Sequence, residues 1–68
     1  MDYQDAFAGQ WPEIRGKAKF EWLKLTEDDL NQVDGRVDML VGALRKRYGY
    51  SNETAATIVE DWLTNLMH

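Results

Sequence analysis

The sequence predicts an all-α protein, a small bundle of three to four short helices. Apolar residues recur at helical spacing along most of the 68 residues, capping residues precede the periodic segments, and no segment alternates apolar and polar residues over the length of a strand. Hydrophobic residues make up 44% of the chain, including three Trp, three Tyr and two Phe, which is too apolar for a disordered tail. A chain this short forms at most one domain with a small core.

The chain divides into an N-terminal segment, residues 1–8, and a helical domain, residues 9–68. Tyr3 and Phe7 are four residues apart, which predicts a weak helical turn in the N-terminal segment. The first long helix is predicted to begin at Pro12, because a first helical turn does not need the N–H that proline lacks. Five apolar residues share one side of this predicted helix: Trp11, Ile14, Ala18, Trp22 and Leu25.

Capping signals mark the remaining helices. Thr26 is the N-cap of a second helix with the acidic Asp29 at its third position, and a hydrophobic residue stands on either side of the cap, at Leu25 and Leu30. A third helix runs to Tyr48, with Gly49 as its left-handed C-terminal residue. Ser51 caps the last helix, which has the cleanest apolar face: Ala55, Ile58, Val59, Trp62, Leu63 and Leu66.

The apolar stripes of these helices together predict the core. It comprises Trp11, Ile14, Trp22, Leu30, Val33, Leu40, Leu44, Tyr48, Val59 and Trp62.

The two halves of the chain resemble each other at an offset of 26 positions. Gly9 aligns with Gly35, and Gly16 aligns with Gly42. Two helical hairpins packed face to face would explain this weak internal repeat, and a chance match between amphipathic helices would explain it equally well.

The composition argues against several classes of site. The chain has no cysteine, and its one histidine is the terminal His68, so we expect no disulfide, no metal centre and no histidine-based catalysis. No carboxylate pair lies beside a nucleophile or a glycine-rich phosphate loop, so we expect a protein that is not an enzyme, with no cofactor and no small-molecule substrate. No apolar run is long enough to span a membrane, and the acidic N-terminus lacks the features of a signal peptide, which indicates a cytoplasmic protein.

Two clusters of charge have both a structural and a functional interpretation. The acidic segment 27–29 lacks the alternating ligands of a calcium loop and fits the first turn of a helix. The net charge of −4 argues against nucleic-acid binding as a general role. A local basic patch would still support an alternative function as a nucleic-acid-associated stress factor, and its members are Arg15, Lys17, Lys19, Arg36, Arg45, Lys46 and Arg47.

Three motifs cover much of the chain. Residues 11–30 read W-x4-GK-x-K-x2-W-x2-LT-x-DDL, residues 34–42 read DGR-x-D-x-LVG, and residues 47–50 read RYGY. In combination they resemble the CsbD-like family of small bacterial general stress-response proteins. The resemblance implies a compact helical domain with no established catalytic residue, cofactor or substrate. We therefore expect a non-enzymatic stress-response protein that acts through protein contacts or as a solubility-protecting factor, and we attribute the glycines of these motifs to helix ends or close contacts.

The chain departs from this family pattern at Phe20 and Leu23, where the family usually has a polar residue and a glycine. Together with Gly16 they form a second apolar face, about 160° from the main stripe of the first long helix. One expectation is that Tyr3 and Phe7 fold back and cover this face. The alternative is an exposed patch that binds a protein partner or a second copy of the chain. The candidate interaction surface comprises Gly16, Phe20, Leu23 and Met39.

Overall fold

A computed structural model describes residues 3–66, with side chains from residue 4 onward. It contains five helices: α1 (Tyr3–Gly9), α2 (Trp11–Glu21), α3 (Glu27–Val33), α4 (Val37–Tyr48) and α5 (Asn52–Leu66). Within residues 3–66 there is no strand, so the predicted all-α class is confirmed. The helix count exceeds three to four because the N-terminal turn forms a complete seven-residue helix. No helix in this range is long and apolar enough to cross a membrane.

Helix α4 is the centre of the bundle, because α1, α3 and α5 all pack against it. Its residues Leu40 and Leu44 are completely buried. Eight of the ten predicted core residues are buried, and the other two, Tyr48 and Trp62, are half-buried and pack against the core. The core also contains the following residues that the predicted core omitted: Phe7, Ala18, Leu25, Ala55 and Leu63.

The end of α2 differs from the sequence prediction. The helix stops at Glu21, and Trp22 has extended backbone angles, φ −124° and ψ 90°. The predicted single helical side that continues to Leu25 is therefore wrong beyond Ala18. Trp22 is nevertheless buried, because leaving the helix brings its ring against Trp62, with 4.6 Å between ring centroids and a T-shaped angle of 64°.

The predicted caps are confirmed. The Thr26 hydroxyl accepts a hydrogen bond from the Asp29 N–H at 3.1 Å, and the Asp29 carboxylate accepts one from the Thr26 N–H at 3.0 Å. This reciprocal capping box satisfies two N–H groups that the start of α3 would leave unpaired. At the next junctions, Gly49 adopts a left-handed φ of 72°, and Ser51 Oγ accepts a hydrogen bond from Thr54 N–H at 3.1 Å.

The position of α1 is fixed by one amide side chain and one glycine. Gln4 Nε2 donates to the carbonyl of Gly35 at 2.7 Å, and Gln4 Oε1 accepts from Val37 N–H at 2.9 Å. Gln4 thereby supplies the N-terminal cap that Arg36 does not provide for α4. Gly35 has φ +80°, and a Cβ at this position would lie 3.2 Å from the Cα of Ala8. The backbones of α1 and the α3–α4 turn can therefore approach only because residue 35 is glycine.

The internal repeat is visible in helix positions but not in helix packing. Helices α2 and α4 begin 26 residues apart, at Trp11 and Val37, which matches the sequence offset. However, α4 packs closely along α5, whereas α3 packs mainly against α4 rather than α2. The structure therefore does not contain two equivalent hairpins, one of α2 with α3 and one of α4 with α5.

Two glycine substitutions are expected to change stability in opposite directions. Gly35→Ala should lower the free energy of unfolding by about 1–3 kcal/mol, because alanine is strained at this φ and its Cβ would press on Ala8. Gly42→Ala should raise it by up to about 1 kcal/mol, because this helical position has open space around it and alanine favours the helix. Urea unfolding followed by tryptophan fluorescence measures both. Wild-type stability in the Gly35 variant would show that the close approach does not constrain the fold.

Candidate interaction surface

Helix α2 has one buried side and one exposed side. Trp11, Ile14 and Ala18 face the core, while Phe20 is 87% exposed and Leu23, just after the helix, is 80% exposed. The exposed pair borders an open depression of about 310 Å³ that Gly16 and Lys19 complete. The structure thus brings together three of the four predicted surface residues, and we call Gly16, Phe20 and Leu23 the α2 surface.

The expectation that Phe7 covers this surface is wrong. Phe7 is completely buried in the core, with its ring centroid 5.2 Å from that of Trp11. The reason is tertiary: Gln4 binds α1 to the turn before α4, which draws Phe7 into the core instead of over Phe20. The Tyr3 side chain, the other predicted cover, lies outside the described side chains. The alternative of an exposed patch is therefore the arrangement that the structure shows.

The fourth predicted residue, Met39, lies elsewhere. It is 36% exposed and lines a smaller depression of about 160 Å³ between α3 and α4, which shares no lining residue with the depression on the α2 surface. The predicted set therefore separates into two places.

Gly16 has no structural requirement to be glycine. A Cβ built on it would meet nothing within 4 Å, and the same is true of Gly42. The expectation that these glycines serve helix ends or close contacts within the fold is wrong for both. Each lies at an exposed position inside a helix, where glycine costs about 0.5–1 kcal/mol relative to alanine. In the α2 surface, the missing side chain leaves a low point beside the protruding ring of Phe20.

Charged residues precede and follow Phe20 in the sequence, on α2 and just after its end. Glu13 and Lys17 precede Phe20 along the chain, Glu21 and Lys24 follow it, and all four are exposed. Composition and motifs did not indicate this set of charged residues. The sequence signal for these charges is the spacing of Glu13, Lys17 and Glu21. They are four residues apart and therefore follow one side of a helix.

Two of the basic residues considered for nucleic-acid binding are paired within the fold. Arg15 Nη2 contacts Glu27 Oε1 at 2.6 Å, and Lys19 Nζ binds the other oxygen of the same carboxylate. Hydrogen bonds from these two cations lower the pKa of Glu27 from 4.5 to about 2. The pair joins α2 to the first turn of α3.

A third basic residue, Arg47, binds Asp29 through two hydrogen bonds. Nε donates to Oδ2 at 2.6 Å and Nη2 donates to Oδ1 at 3.1 Å. Asp29 is 4% exposed, and its hydrogen bonds with Arg47, followed by those with Thr26, lower its pKa from 3.8 to about 2. Three of the seven residues of the predicted basic patch are thus held by carboxylates, which weakens the basis for a nucleic-acid site.

Similar proteins were found in several bacteria. The UPF0337 protein YjbJ of Salmonella typhimurium is 43% identical over 64 residues, which cover 94% of this chain and 91% of that protein. A UPF0337 protein of Pectobacterium atrosepticum is 46% identical over 59 residues, 87% of this chain and 86% of that protein. The chain belongs to the UPF0337 family. A further member, from Pseudomonas aeruginosa, is 44% identical over 62 residues, 91% of this chain and 95% of that protein. No family model and no solved structure matches.

In this UPF0337 chain, the RYGY segment serves the fold. Arg47 holds Asp29, and Tyr48 accepts a hydrogen bond from the Lys24 N–H through its hydroxyl at 3.2 Å. The rings of Tyr48 and Tyr50 stack with 5.4 Å between centroids, and the Lys24 ammonium lies 5.1 Å from the Tyr48 centroid. This motif therefore has structural tasks, in contrast to the exposed residues of the α2 surface.

The lowered pKa of Asp29 predicts a loss of stability in acid. A carboxyl group whose pKa is lower in the folded state stabilises fully above its unfolded value, and this contribution disappears as the pH falls through the folded value. For Asp29 this stability is lost between pH 3.8 and about 2. The exposed Glu27, whose pKa is also lowered, adds to the loss.

The test compares Asp29→Asn with Asp28→Asn, its exposed neighbour. Asp29→Asn should lower the free energy of unfolding at pH 7 by about 2 kcal/mol, and the deficit should shrink as the pH approaches 2. Asp28→Asn should show no such pH-dependent deficit. Urea unfolding at several pH values between 7 and 2 measures both. A deficit of Asp29→Asn that is constant over this range would contradict the assignment.

Proposed function

We propose that this UPF0337 protein is a non-catalytic, cytoplasmic, CsbD-like stress-response protein that acts through protein contacts at the α2 surface. The observation that carries the proposal is the exposure of two neighbouring large apolar side chains, Phe20 at 87% and Leu23 at 80%. The stress-response part rests on the resemblance of the three motifs to the CsbD-like family, and membership in UPF0337 is compatible with it.

The exposure of Phe20 and Leu23 has an energetic cost. Burying a Phe or Leu side chain is worth about 1.5–3 kcal/mol, and the fold buries neither Phe20 nor Leu23. Single exposed apolar residues are ordinary, but here two of them border the same depression. A protein partner that covers both would recover this free energy, so the α2 surface is suited to association.

The proposal of a non-catalytic role is supported by the electrostatics. Among the residues that the structure describes, two carboxylates have shifted pKa values, and the pKa of each, Glu27 and Asp29, is lowered to about 2 mainly by hydrogen bonds from cationic partners. A general acid or base at neutral pH needs a pKa near 7, so these two groups act as structural anions. The nucleic-acid alternative is less favoured, since Arg15, Lys19 and Arg47 bind these same carboxylates.

The protein-contact role predicts site-specific cross-linking in cells. A photo-reactive phenylalanine analogue at Leu23 should form covalent adducts with protein when cells are irradiated under osmotic or stationary-phase stress. The same analogue at Thr57, an exposed position on α5, is the matched control and should form few adducts. Equal adducts at the two positions, or none at Leu23, would contradict the proposal.

The stress role predicts a phenotype that depends on the α2 surface. Cells that carry Phe20→Ser with Leu23→Gly should recover from osmotic shock as poorly as cells that lack the gene, because the variant is folded but lacks the apolar contact. Met39→Ser, a change of an exposed apolar residue outside the α2 surface, should leave recovery unchanged. Circular dichroism of both variants checks that they fold. Normal recovery of the double variant, in cells where deletion impairs recovery, would assign the function to another part of the protein.

A further inference from the structure

The exposed side of α2 carries charges that alternate in sign along the chain. On α2 itself, Glu13, Lys17 and Glu21 follow one another at intervals of four residues, and all three are exposed. In the sequence, Phe20 of the α2 surface stands between Lys17 and Glu21. Lys24 lies beyond the end of α2, with its ammonium over the Tyr48 ring.

We propose that the occupant of the α2 surface is a second copy of this chain, with the two α2 helices antiparallel across a two-fold axis. This inference rests on the proposed function, since it names the protein that the surface contacts. In such an isologous interface, the same surface of each copy meets itself in reverse.

Charge complementarity selects the antiparallel arrangement. In an antiparallel pair, a two-fold axis near residue 19 brings Lys17 of one copy to Glu21 of the other, and by symmetry the same contact between opposite charges forms twice. Parallel pairing in register would instead place like charges side by side.

Shape complementarity points the same way. Gly16 is a low point on the exposed side of α2, because nothing lies within 4 Å of the position of its absent Cβ. Phe20, one helical turn later, is a protruding ring that is 87% exposed. Antiparallel packing brings each Phe20 to the region of Gly16 in the other copy, so that each protrusion faces a gap and the helices can approach closely.

The size of the surface limits the strength of this dimer. One exposed side of an 11-residue helix covers a small part of the 4481 Å² that the chain exposes, and stable interfaces bury about 1,200–2,000 Å² in total. A weak, reversible dimer is therefore expected, with a dissociation constant of roughly tens to hundreds of micromolar. The lysines would also attract an anionic membrane, but Glu13 and Glu21 and the net charge of −4 oppose that attraction.

Sedimentation equilibrium on the full chain, from about 10 µM to about 1 mM at about 0.15 M salt, tests the dimer over the concentration range of a weak interface. Wild-type protein should shift from monomer toward dimer. Lys17→Glu and Glu21→Lys should each weaken the dimer at least about fivefold, because each change places like charges together at two symmetric contacts. The double variant Lys17→Glu with Glu21→Lys exchanges both signs and should restore wild-type association to within about twofold.

Two glycine variants distinguish an effect on the dimer from an effect on the stability of the fold. Gly16→Ala should raise the Tm of the monomer by about 2–8 °C, because alanine favours the helix, and should weaken the dimer, because its methyl group fills the gap. Gly42→Ala, the equivalent position on α4, should give the same thermal gain without any change in association. A variant that folds more stably and associates less cannot be explained by misfolding.

Each of the other outcomes contradicts a defined part of the two proposals. A monomer over the whole concentration range overturns self-association, while cross-linking at Leu23 to other proteins would still support the proposed function. A dimer that is unaffected by Phe20→Ser or by the charge reversals overturns the α2 arrangement. Monomeric protein that binds vesicles with about 30% anionic lipid through Phe20 assigns the surface to membranes and overturns both proposals.

Discussion

The carboxylate of Asp29 is the polar group on which the arrangement of the helices depends. It is almost completely buried, and it joins the first turn of α3, through the Thr26 N–H, to the last turn of α4, through the guanidinium of Arg47. A buried carboxylate without these partners would carry a large desolvation cost, so the chain must bring both together as it folds. Because α4 also packs against α5, the pairing at its end helps to set the direction in which the chain turns at Gly49.

Local sequence signals predicted the parts of the fold that are decided locally. The spacing of apolar residues identified α4 and α5, and Thr26, Gly49 and Ser51 marked helix ends because each acts on groups within a few residues. The errors concern contacts between residues distant in sequence. Phe7 was placed over α2 because no local pattern reveals that Gln4 binds the α3–α4 turn, 31 and 33 residues away. The end of α2 was missed because Trp22 fits the helical stripe but packs against Trp62 from an extended backbone.

The sequence predicts which residues form the candidate surface, but not whether that surface is exposed. Helical geometry places Gly16 and Phe20 together, because positions four apart share one side, whereas Leu23 lies after the end of α2. Whether another element covers that side depends on where α1 packs, which only the tertiary structure shows. Met39 illustrates the same limit: its position on α4 indicated an outward side chain, yet only the structure shows that it faces a depression separate from the α2 surface.

The contrast between the two kinds of glycine indicates where the fold and the function make different demands. Gly35 is glycine because α1 approaches it too closely for any side chain, so the fold itself explains the residue. Gly16 has open space, lies inside a helix that glycine weakens, and stands beside two exposed apolar side chains that lower solubility. In a chain of 68 residues with a small core, such costs are a large fraction of the total stability. The ion pair of Asp29 with Arg47 and the amide of Gln4 join the helices away from Phe20 and Leu23. The outer side of α2 can therefore keep residues that stabilise nothing in the isolated chain, and the contact that we propose with another molecule would make these residues favourable.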